Sequence, residues 1–179
     1  MTGPWNQSQL FSSASVEWAT PDWLFEELDK EFGFLLDACA SSENAQCPAY
    51  IDEKADCLTT EWGDLMEGGL VHRSVWMNPP WGRGIGAFVA RAQQQSKRYG
   101  LVVVCLLPAS TDTKWWHQYV MESAHVRFIQ GRLHFVRDDG HTGPCTKGCA
   151  VVTFVPWGQS KPRFSTMGHP TRKSKTTLK

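Results

Sequence analysis

The fold of this chain is indicated most clearly by the run Leu101-Val102-Val103-Val104-Cys105-Leu106-Leu107-Pro108. Seven apolar residues in succession, rich in valine and leucine, are typical of a parallel strand that is buried on both faces. Pro108 ends the run, because a proline nitrogen has no hydrogen to donate to a neighbouring strand. The run therefore predicts a central strand of an α/β sheet.

Helical and strand patterns alternate on both sides of this run. Residues 84–98 predict an amphipathic helix with Ile85, Phe88, Val89 and Ala92 on its apolar face. A second helix is expected after Thr20 as its cap, with Pro21 in its first turn and Gly33 after its end. We also expect a short helix or irregular segment over residues 58–66 and a helix over 113–121. The remaining expected strands are 34–40, 75–77, 126–136 and 149–155. This order predicts a three-layer α/β/α fold with a doubly wound, mostly parallel sheet. Because no helix separates the last two strands, we expect a hairpin that places an antiparallel strand in the sheet.

A length of 179 residues suggests one domain, which we expect over residues 16–158, after an arm at 1–15 and before a flexible basic tail at 159–179. Hydrophobic residues make up 41% of the chain, as in soluble globular proteins. No apolar run is long enough for a membrane span, and residues 1–10 lack a signal-peptide pattern. We therefore expect a cytoplasmic protein with no membrane partner; the sequence does not indicate the oligomeric state.

Charge is distributed unevenly along the chain. Residues 1–60 hold eleven acidic and two basic side chains, whereas residues 61–179 hold seven acidic and sixteen basic ones. A basic second part is compatible with a polyanionic partner. The stretch from Lys161 to Lys179 has no acid, which is equally typical of a polyanion-binding tail and of a solvated one.

The six cysteines show no C-x-x-C pair and no standard zinc spacing. Cys105 lies within the apolar run itself, where a thiol packs as a small hydrophobic side chain. We therefore expect free thiols in a reducing compartment and no metal site.

The tetrapeptide Asn78-Pro79-Pro80-Trp81 follows the short apolar run 74–77. Two successive prolines end the strand and hold the next residues in a stiff, extended turn. Such a turn presents a carboxamide, a backbone carbonyl and an indole to one small volume. The oxygens suit the N–H groups of an exocyclic amine, and the indole suits the face of a flat ring. The alternative is an ordinary Asn-Pro turn whose aromatic residue only covers the core.

A second polar strand end, Asp37-Ala38-Cys39-Ala40, precedes it along the chain. Ligands of α/β sheets bind outside the carboxyl ends of the strands, so both strand ends are expected to border one site. An acid with a small-residue turn beside an amine-binding turn predicts a cofactor on one side and a substrate on the other.

Six motifs follow one another along the chain: Trp18-Ala19-Thr20-Pro21, Leu36-Asp37-Ala38-Cys39-Ala40, Asn78-Pro79-Pro80-Trp81, Leu106-Leu107-Pro108-Ala109, Thr111-Asp112-Thr113-Lys114-Trp115-Trp116 and Gly131-Arg132-Leu133-His134-Phe135. In this order, they closely resemble the phage-type Dam family of DNA N6-adenine methyltransferases. The resemblance implies S-adenosylmethionine as cofactor, DNA as partner and the class I (Rossmann-like) methyltransferase fold with an antiparallel last strand. For a phage-encoded enzyme it implies the host cytoplasm. Many methyltransferases have a Gly-rich loop where this chain has Ala38-Cys39-Ala40-Ser41, whose small side chains still allow close approach of a cofactor.

The resemblance also implies a catalytic set, Asn78, Pro79, Pro80 and Trp81. The Asn78 side-chain oxygen and the Pro79 carbonyl would accept the two N6–H bonds of adenine and localise the nitrogen lone pair. Trp81 would stack on the base, which must be flipped out of the duplex or arrive single-stranded.

The cofactor contacts implied by the resemblance are Thr20 and Pro21 near the methionine moiety, Asp37 near its amino group, and Asp56 near the adenosine, with Ala38, Cys39 and Asn78 alongside. Asp37 could instead cap a helix, and Asp56 could be a plain loop acid. Asp52 or Glu53 could bond the ribose hydroxyls in place of Asp56.

For the substrate, Phe135 is a candidate second wall of the base pocket or a core residue. Lys114 and Arg132 are candidates for phosphate contacts or for solvated surface charges. Trp115-Trp116 indicates core and interface packing first.

Three functions are compatible with these features. The first is methyl transfer to adenine in DNA, and the second is transfer to an RNA adenine or a protein glutamine. The third is a catalytically silent nucleic-acid-binding module. The basic second part favours nucleic acid over glutamine, the resemblance favours DNA over RNA, and the intact tetrapeptide argues against a silent module.

Overall fold

The structure is a computed structural model that describes residues 19–66, 73–121, 124–136, 142–157 and 162–169. The described helices are α1 (Asp22–Phe32) and α2 (Ile85–Tyr99), with a 3-10 turn at Trp62–Leu65 and a π-type turn at Trp116–Val120. The described strands are β1 (Phe34–Asp37), β2 (Ala49–Tyr50), β3 (Ser74–Met77), β4 (Val102–Pro108), β5 (Ala124–Ile129), β6 (His134–Val136), β7 (Thr142–Pro144), β8 (Cys149–Phe154) and β9 (Phe164–Met167). The predicted arm at 1–15 lies outside the described residues.

Seven strands form one sheet in the order β2-β1-β3-β4-β8-β5-β9. β8 pairs antiparallel with β4 and β5, whereas the other neighbouring strands pair in parallel. The predicted mostly parallel sheet with a reversed strand is confirmed. β6 and β7, which follow β5 and precede β8 along the chain, form a separate two-stranded hairpin.

The prediction that the reversed strand is the last one is wrong, because β9 follows β8 and pairs in parallel with β5. β9 also lies inside the stretch that the sequence suggested as a flexible tail. Its side chains are mostly exposed, so backbone pairing with the edge strand β5 is its main support. The Phe164 ring also stacks on Phe128, with ring centroids 6.1 Å apart. A strand of this kind has no apolar alternation to reveal it. Residues 170–179 of the expected tail lie outside the described part of the chain.

The expected strand over residues 126–136 is wrong as one element. It divides into β5 and β6 at Gly131, whose φ of 87° lies in the left-handed region that favours glycine. The expected helix over 113–121 is confirmed over residues 114–121, of which Trp116–Val120 are π-helical. The predicted Thr20 cap is also wrong, because Pro21 occupies the cap position of α1 and no side chain caps it.

Alternate residues of β4 belong to two apolar clusters on opposite faces of the sheet. Val103, Cys105 and Leu107 pack in the cluster that contains α2, whereas Val104 and Leu106 pack in the cluster that contains α1. The two helices therefore lie on opposite faces, and β4 is buried on both, as its apolar sequence predicts. No helix in the described residues is both long and apolar enough to cross a membrane.

One stability prediction concerns Gly63, which is buried against the ring of Tyr99. A Cβ at this position would overlap the body of that ring. We expect Gly63→Ala to lower the free energy of unfolding by about 1–3 kcal/mol, because the ring and the 3-10 turn must shift apart. Urea unfolding measures the change. Gly82→Ala is the control, since a Cβ there has open space; equal midpoints for the two variants would contradict the prediction.

Candidate active site

The carboxyl ends of three neighbouring parallel strands border one cavity of about 1120 Å³. Asp37 at the end of β1, Asn78 after β3 and Pro108 at the end of β4 all line it. Parallel neighbours bring their carboxyl ends to the same edge of a sheet. The two polar strand ends identified in the sequence therefore share one cavity.

The Asn78 carboxamide is oriented by Thr20. Its Nδ2 donates a hydrogen bond of 3.2 Å to the Thr20 hydroxyl oxygen, and Thr20 is buried immediately before the cap of α1. The hydrogen bond sets the rotation of the carboxamide, because Nδ2 faces Thr20 and Oδ1 therefore lies on the opposite side. Pro79 and Pro80 follow and also line the cavity.

Two aromatic rings form one wall of the cavity. Trp81 meets Phe135 edge to face, with ring centroids 5.5 Å apart and planes at 85°. Phe135 is buried, and it is supplied by β6, the first strand of the hairpin inserted between β5 and β8. Trp81 Nε1 is buried and has no hydrogen-bond partner among the described residues, so packing alone holds the indole. The cavity thus has an aromatic wall beside the Asn-Pro-Pro turn.

Asp37 is a buried acid on the cavity wall. Its Oδ1 accepts a hydrogen bond from the Cys39 backbone N–H at 3.3 Å, and its Oδ2 accepts one from the Gln46 N–H at 3.1 Å. Burial raises the pKa of Asp37 to about 6, and these two hydrogen bonds act in the opposite direction. The carboxyl thus changes charge near pH 6 and fixes the loop that follows β1.

Two further acids, Asp52 and Glu53, line the cavity just after β2, together with Tyr50. Asp56 does not line it. Its backbone is left-handed, with φ of 55°, and its Oδ1 accepts a hydrogen bond from the Leu58 N–H at 3.0 Å. The geometry thus gives Asp56 a turn-stabilising role and places Asp52 and Glu53 at the cavity.

Three other residues named from the sequence lie away from the cavity surface. Pro21, Lys114 and Arg132 are not among its lining residues. The Arg132 guanidinium donates hydrogen bonds to the backbone carbonyls of Cys145 at 3.5 Å and Thr146 at 2.8 Å. Thr20, Asp37, Ala38, Cys39, Asn78, Pro79, Pro80, Trp81 and Phe135 do line it.

Sequence reasoning missed residues on the far side of the cavity. Ser110, Thr113 and Trp115 follow the end of β4 and line it, although Trp115 reads from the sequence as a packing residue. Ligands of α/β sheets bind outside the carboxyl ends of the strands, and the same rule applied to Pro108 at the end of β4 predicts these residues. Gly86 of α2 allows this approach, since a Cβ there would lie 3.1 Å from the Trp115 Cβ.

All six cysteines are free thiols. Cys39 Sγ lies 3.3 Å from Cys57 Sγ at the cavity, and burial raises the pKa of Cys39 well above its usual range. No group of three or more metal-ligating side chains occurs among the described residues.

Comparison with known proteins assigns the chain to a family. The model of the family described as DNA N-6-adenine-methyltransferase (Dam) matches residues 7–178, which include every residue that lines the cavity. The chain is 33% identical over 144 residues to the DNA N-6-adenine-methyltransferase of Haemophilus phage HP1 (strain HP1c1), a match covering 78% of each chain. It is 29% identical over 147 residues to the DNA N-6-adenine-methyltransferase of Escherichia phage T1, covering 73% of this chain and 57% of the relative. These matches confirm the resemblance carried by the six motifs, and the chain belongs to the DNA N-6-adenine-methyltransferase (Dam) family.

Proposed function

We propose that this chain transfers a methyl group from S-adenosylmethionine to the N6 amine of adenine in DNA, with Asn78 and Pro79 binding the amine. Family membership makes it an adenine-specific DNA methyltransferase. The observation that carries the residue-level proposal is the single cavity shared by the acid after β1 and the Asn-Pro-Pro-Trp turn after β3. The parallel sheet with one reversed strand and helices on both faces supports assignment to the class I (Rossmann-like) fold.

The residues at the β1–β2 end of the cavity fit the cofactor. S-adenosylmethionine carries a sulfonium, an ammonium and a carboxylate, and this end of the cavity is lined by three acids, Asp37, Asp52 and Glu53, beside one cation, Lys54. Ala38 and Ala40 have small side chains that allow a ligand to approach the backbone closely. The cavity volume lies just above the usual range of small-molecule sites, which suits a cofactor and a base together. When bound, the cofactor supplies an electrophilic methyl group on a sulfonium sulfur.

The other end of the cavity suits an exocyclic amine. The lone pair of adenine N6 is delocalised into the ring, so the free amine is a weak nucleophile. In our proposal the Asn78 Oδ1 and the Pro79 carbonyl accept the two N6–H bonds, which favours pyramidal nitrogen and a localised lone pair. The Thr20–Asn78 hydrogen bond supports this role, because it orients the carboxamide before the base arrives. As positive charge develops on N6, the same oxygens stabilise it, and the nitrogen then loses one proton to solvent.

The aromatic wall completes the base site. Stacking of a base on an aromatic ring contributes about 1–3 kcal/mol, which offsets much of the few kcal/mol needed to extrude adenine from a duplex. Trp81 provides that surface, and its edge-to-face contact with Phe135 supports the indole. We therefore propose that adenine enters either flipped out or single-stranded, between Asn78 and the Trp81 ring.

The test is transfer of a labelled methyl group to duplex DNA, single-stranded DNA, RNA and protein in parallel reactions. After digestion to nucleosides, we expect the label in N6-methyladenine from DNA. Label that appears only in RNA adenine or in glutamine would contradict the proposal and favour the second candidate function. A protein that binds DNA but transfers no label would be the silent module.

The pKa of Asp37 predicts how cofactor affinity depends on pH. The ammonium group of the cofactor binds the ionised form of the Asp37 carboxyl, and this form is the minor one below pH 6. The cofactor Kd should therefore rise about tenfold per pH unit as the pH falls below about 6, and level off above about 7. The thiols that face Asp37, Cys39 and Cys47, are uncharged in this range, because burial raises the pKa of both.

Isothermal titration between pH 5 and 7.5 measures this dependence. Asp37→Asn is the control, with weaker binding that is flat across the range. A wild-type Kd that is equally flat would show that Asp37 does not bind the cofactor amino group.

A further inference from the structure

The charges around the cavity are divided between its two ends. The acids Asp37, Asp52 and Glu53 lie at the cofactor end, which is formed by the ends of β1 and β2 and the residues that follow them, and Lys54 beside them leaves this end with an excess of acids. The base end of the cavity is formed by the Asn-Pro-Pro-Trp turn, Phe135 and the loop after β7. Among the described residues that line this end, Lys147 is the one cation. An anionic strand that delivers adenine to this cavity therefore meets attraction at the Lys147 side and repulsion at the other.

Lys147 lies on a short loop between β7 and β8 that is fixed at several points. The Cys145 N–H donates to the Leu133 carbonyl at 2.7 Å, and the Ala109 N–H donates to the Gly148 carbonyl at 2.8 Å. The loop is thus tied on one side to the segment that leads into β6 and on the other to the end of β4. Lys147 itself is exposed at the cavity rim.

The Arg132 guanidinium also hydrogen-bonds to this loop, next to Lys147. Its Nη1 donates to the Thr146 carbonyl at 2.8 Å and to the Cys145 carbonyl at 3.5 Å, the two peptide groups that precede Lys147. Gly131 places Arg132 there through its left-handed backbone, with φ of 87°. Arg132 thus binds protein carbonyls, whereas the sequence alone left open a phosphate contact or a solvated surface charge.

We propose that Lys147 contacts a backbone phosphate of the DNA strand beside the extruded adenine, and that Arg132 is a positioning residue that holds the Lys147 loop at the cavity rim. This inference rests on the proposed function, because it needs DNA at the base end. A phosphate contact by lysine supplies affinity that is independent of sequence and weakens with salt.

The test is a double-mutant cycle with Lys147→Ala and Arg132→Ala, measured as steady-state methylation of a DNA duplex. Lys147→Ala should raise the KM for DNA about five- to tenfold at 0.1 M salt with kcat within about twofold, and should reduce the slope of log KM against log salt by about one. Lys147→Arg should restore most of the KM. Lys97→Ala removes the same charge from an exposed position of α2 outside the cavity and should leave the KM unchanged.

Arg132→Ala should raise the KM about three- to fivefold in the wild-type background and have almost no effect in the Lys147→Ala background. Additive effects would overturn the positioning role, since they would mean that Arg132 contacts DNA itself. An unchanged KM and salt slope in Lys147→Ala would overturn the phosphate contact. Wild-type protein that methylates no DNA would overturn the proposed function and this inference together, so the two failures are distinguishable.

Discussion

Asn78→Ala is expected to lower kcat for methyl transfer by about 10²–10³-fold, with the cofactor Kd within about threefold of wild type. Loss of a single preoriented polar group that stabilises developing charge has an effect of this size in other active sites. Here the substitution removes the acceptor for one N6–H bond and leaves Thr20 without the carboxamide that it orients. Single-turnover transfer to a DNA duplex measures the rate, and titration calorimetry measures cofactor binding.

Two further variants separate the chemistry of this position from a general disturbance. Asn78→Asp keeps an acceptor oxygen and should retain clearly more activity than Asn78→Ala. Gln94→Ala removes a carboxamide from an exposed position of α2 that does not line the cavity, and it should leave the rate unchanged. If Asn78→Ala keeps most of the wild-type rate, the amine-binding role of Asn78 is wrong.

Trp81→Ala is expected to lower kcat/KM for DNA by about 5–150-fold, the equivalent of the roughly 1–3 kcal/mol that stacking on an aromatic ring contributes. The ring borders the cavity and is supported edge-on by Phe135. Its loss removes the surface that offsets unstacking of the base. A fluorescent adenine analogue at the target position reports extrusion directly. With Trp81→Ala bound, its fluorescence should stay close to that of the duplex without protein.

Trp81→Phe keeps a stacking ring and should recover most of the loss. Trp157→Ala is the matched control, because this indole is 74% exposed and lies outside the cavity lining. An extrusion signal in Trp81→Ala equal to that of wild type would mean that another ring, such as Trp115, carries the stacking.

The elements that bury apolar side chains could be predicted from the sequence. β4 and α2 follow from a continuous apolar run and from helical spacing, because each buries the residues that form its pattern. The Asp37 and Asn78 strand ends could also be placed at one cavity, since parallel neighbours bring their carboxyl ends to one edge. These features depend on local sequence and on one topological rule.

Features held by backbone pairing or by distant contacts could not be predicted in this way. β9 is mostly exposed and pairs through its backbone, so no apolar pattern marks it. The division of β5 from β6 depends on one left-handed glycine, Gly131. The hydrogen bond from Arg132 to the Thr146 carbonyl joins residues that only the fold brings within 2.8 Å, so no local pattern indicates it.

The most direct test of the central claim is a crystal structure of the protein with the cofactor analogue sinefungin and a DNA duplex containing the target adenine. We expect the adenine outside the duplex stack, its N6 within hydrogen-bond distance of both Asn78 Oδ1 and the Pro79 carbonyl, and its face on Trp81. An ordered adenine that binds elsewhere, or one whose N6 contacts neither oxygen, would contradict the account.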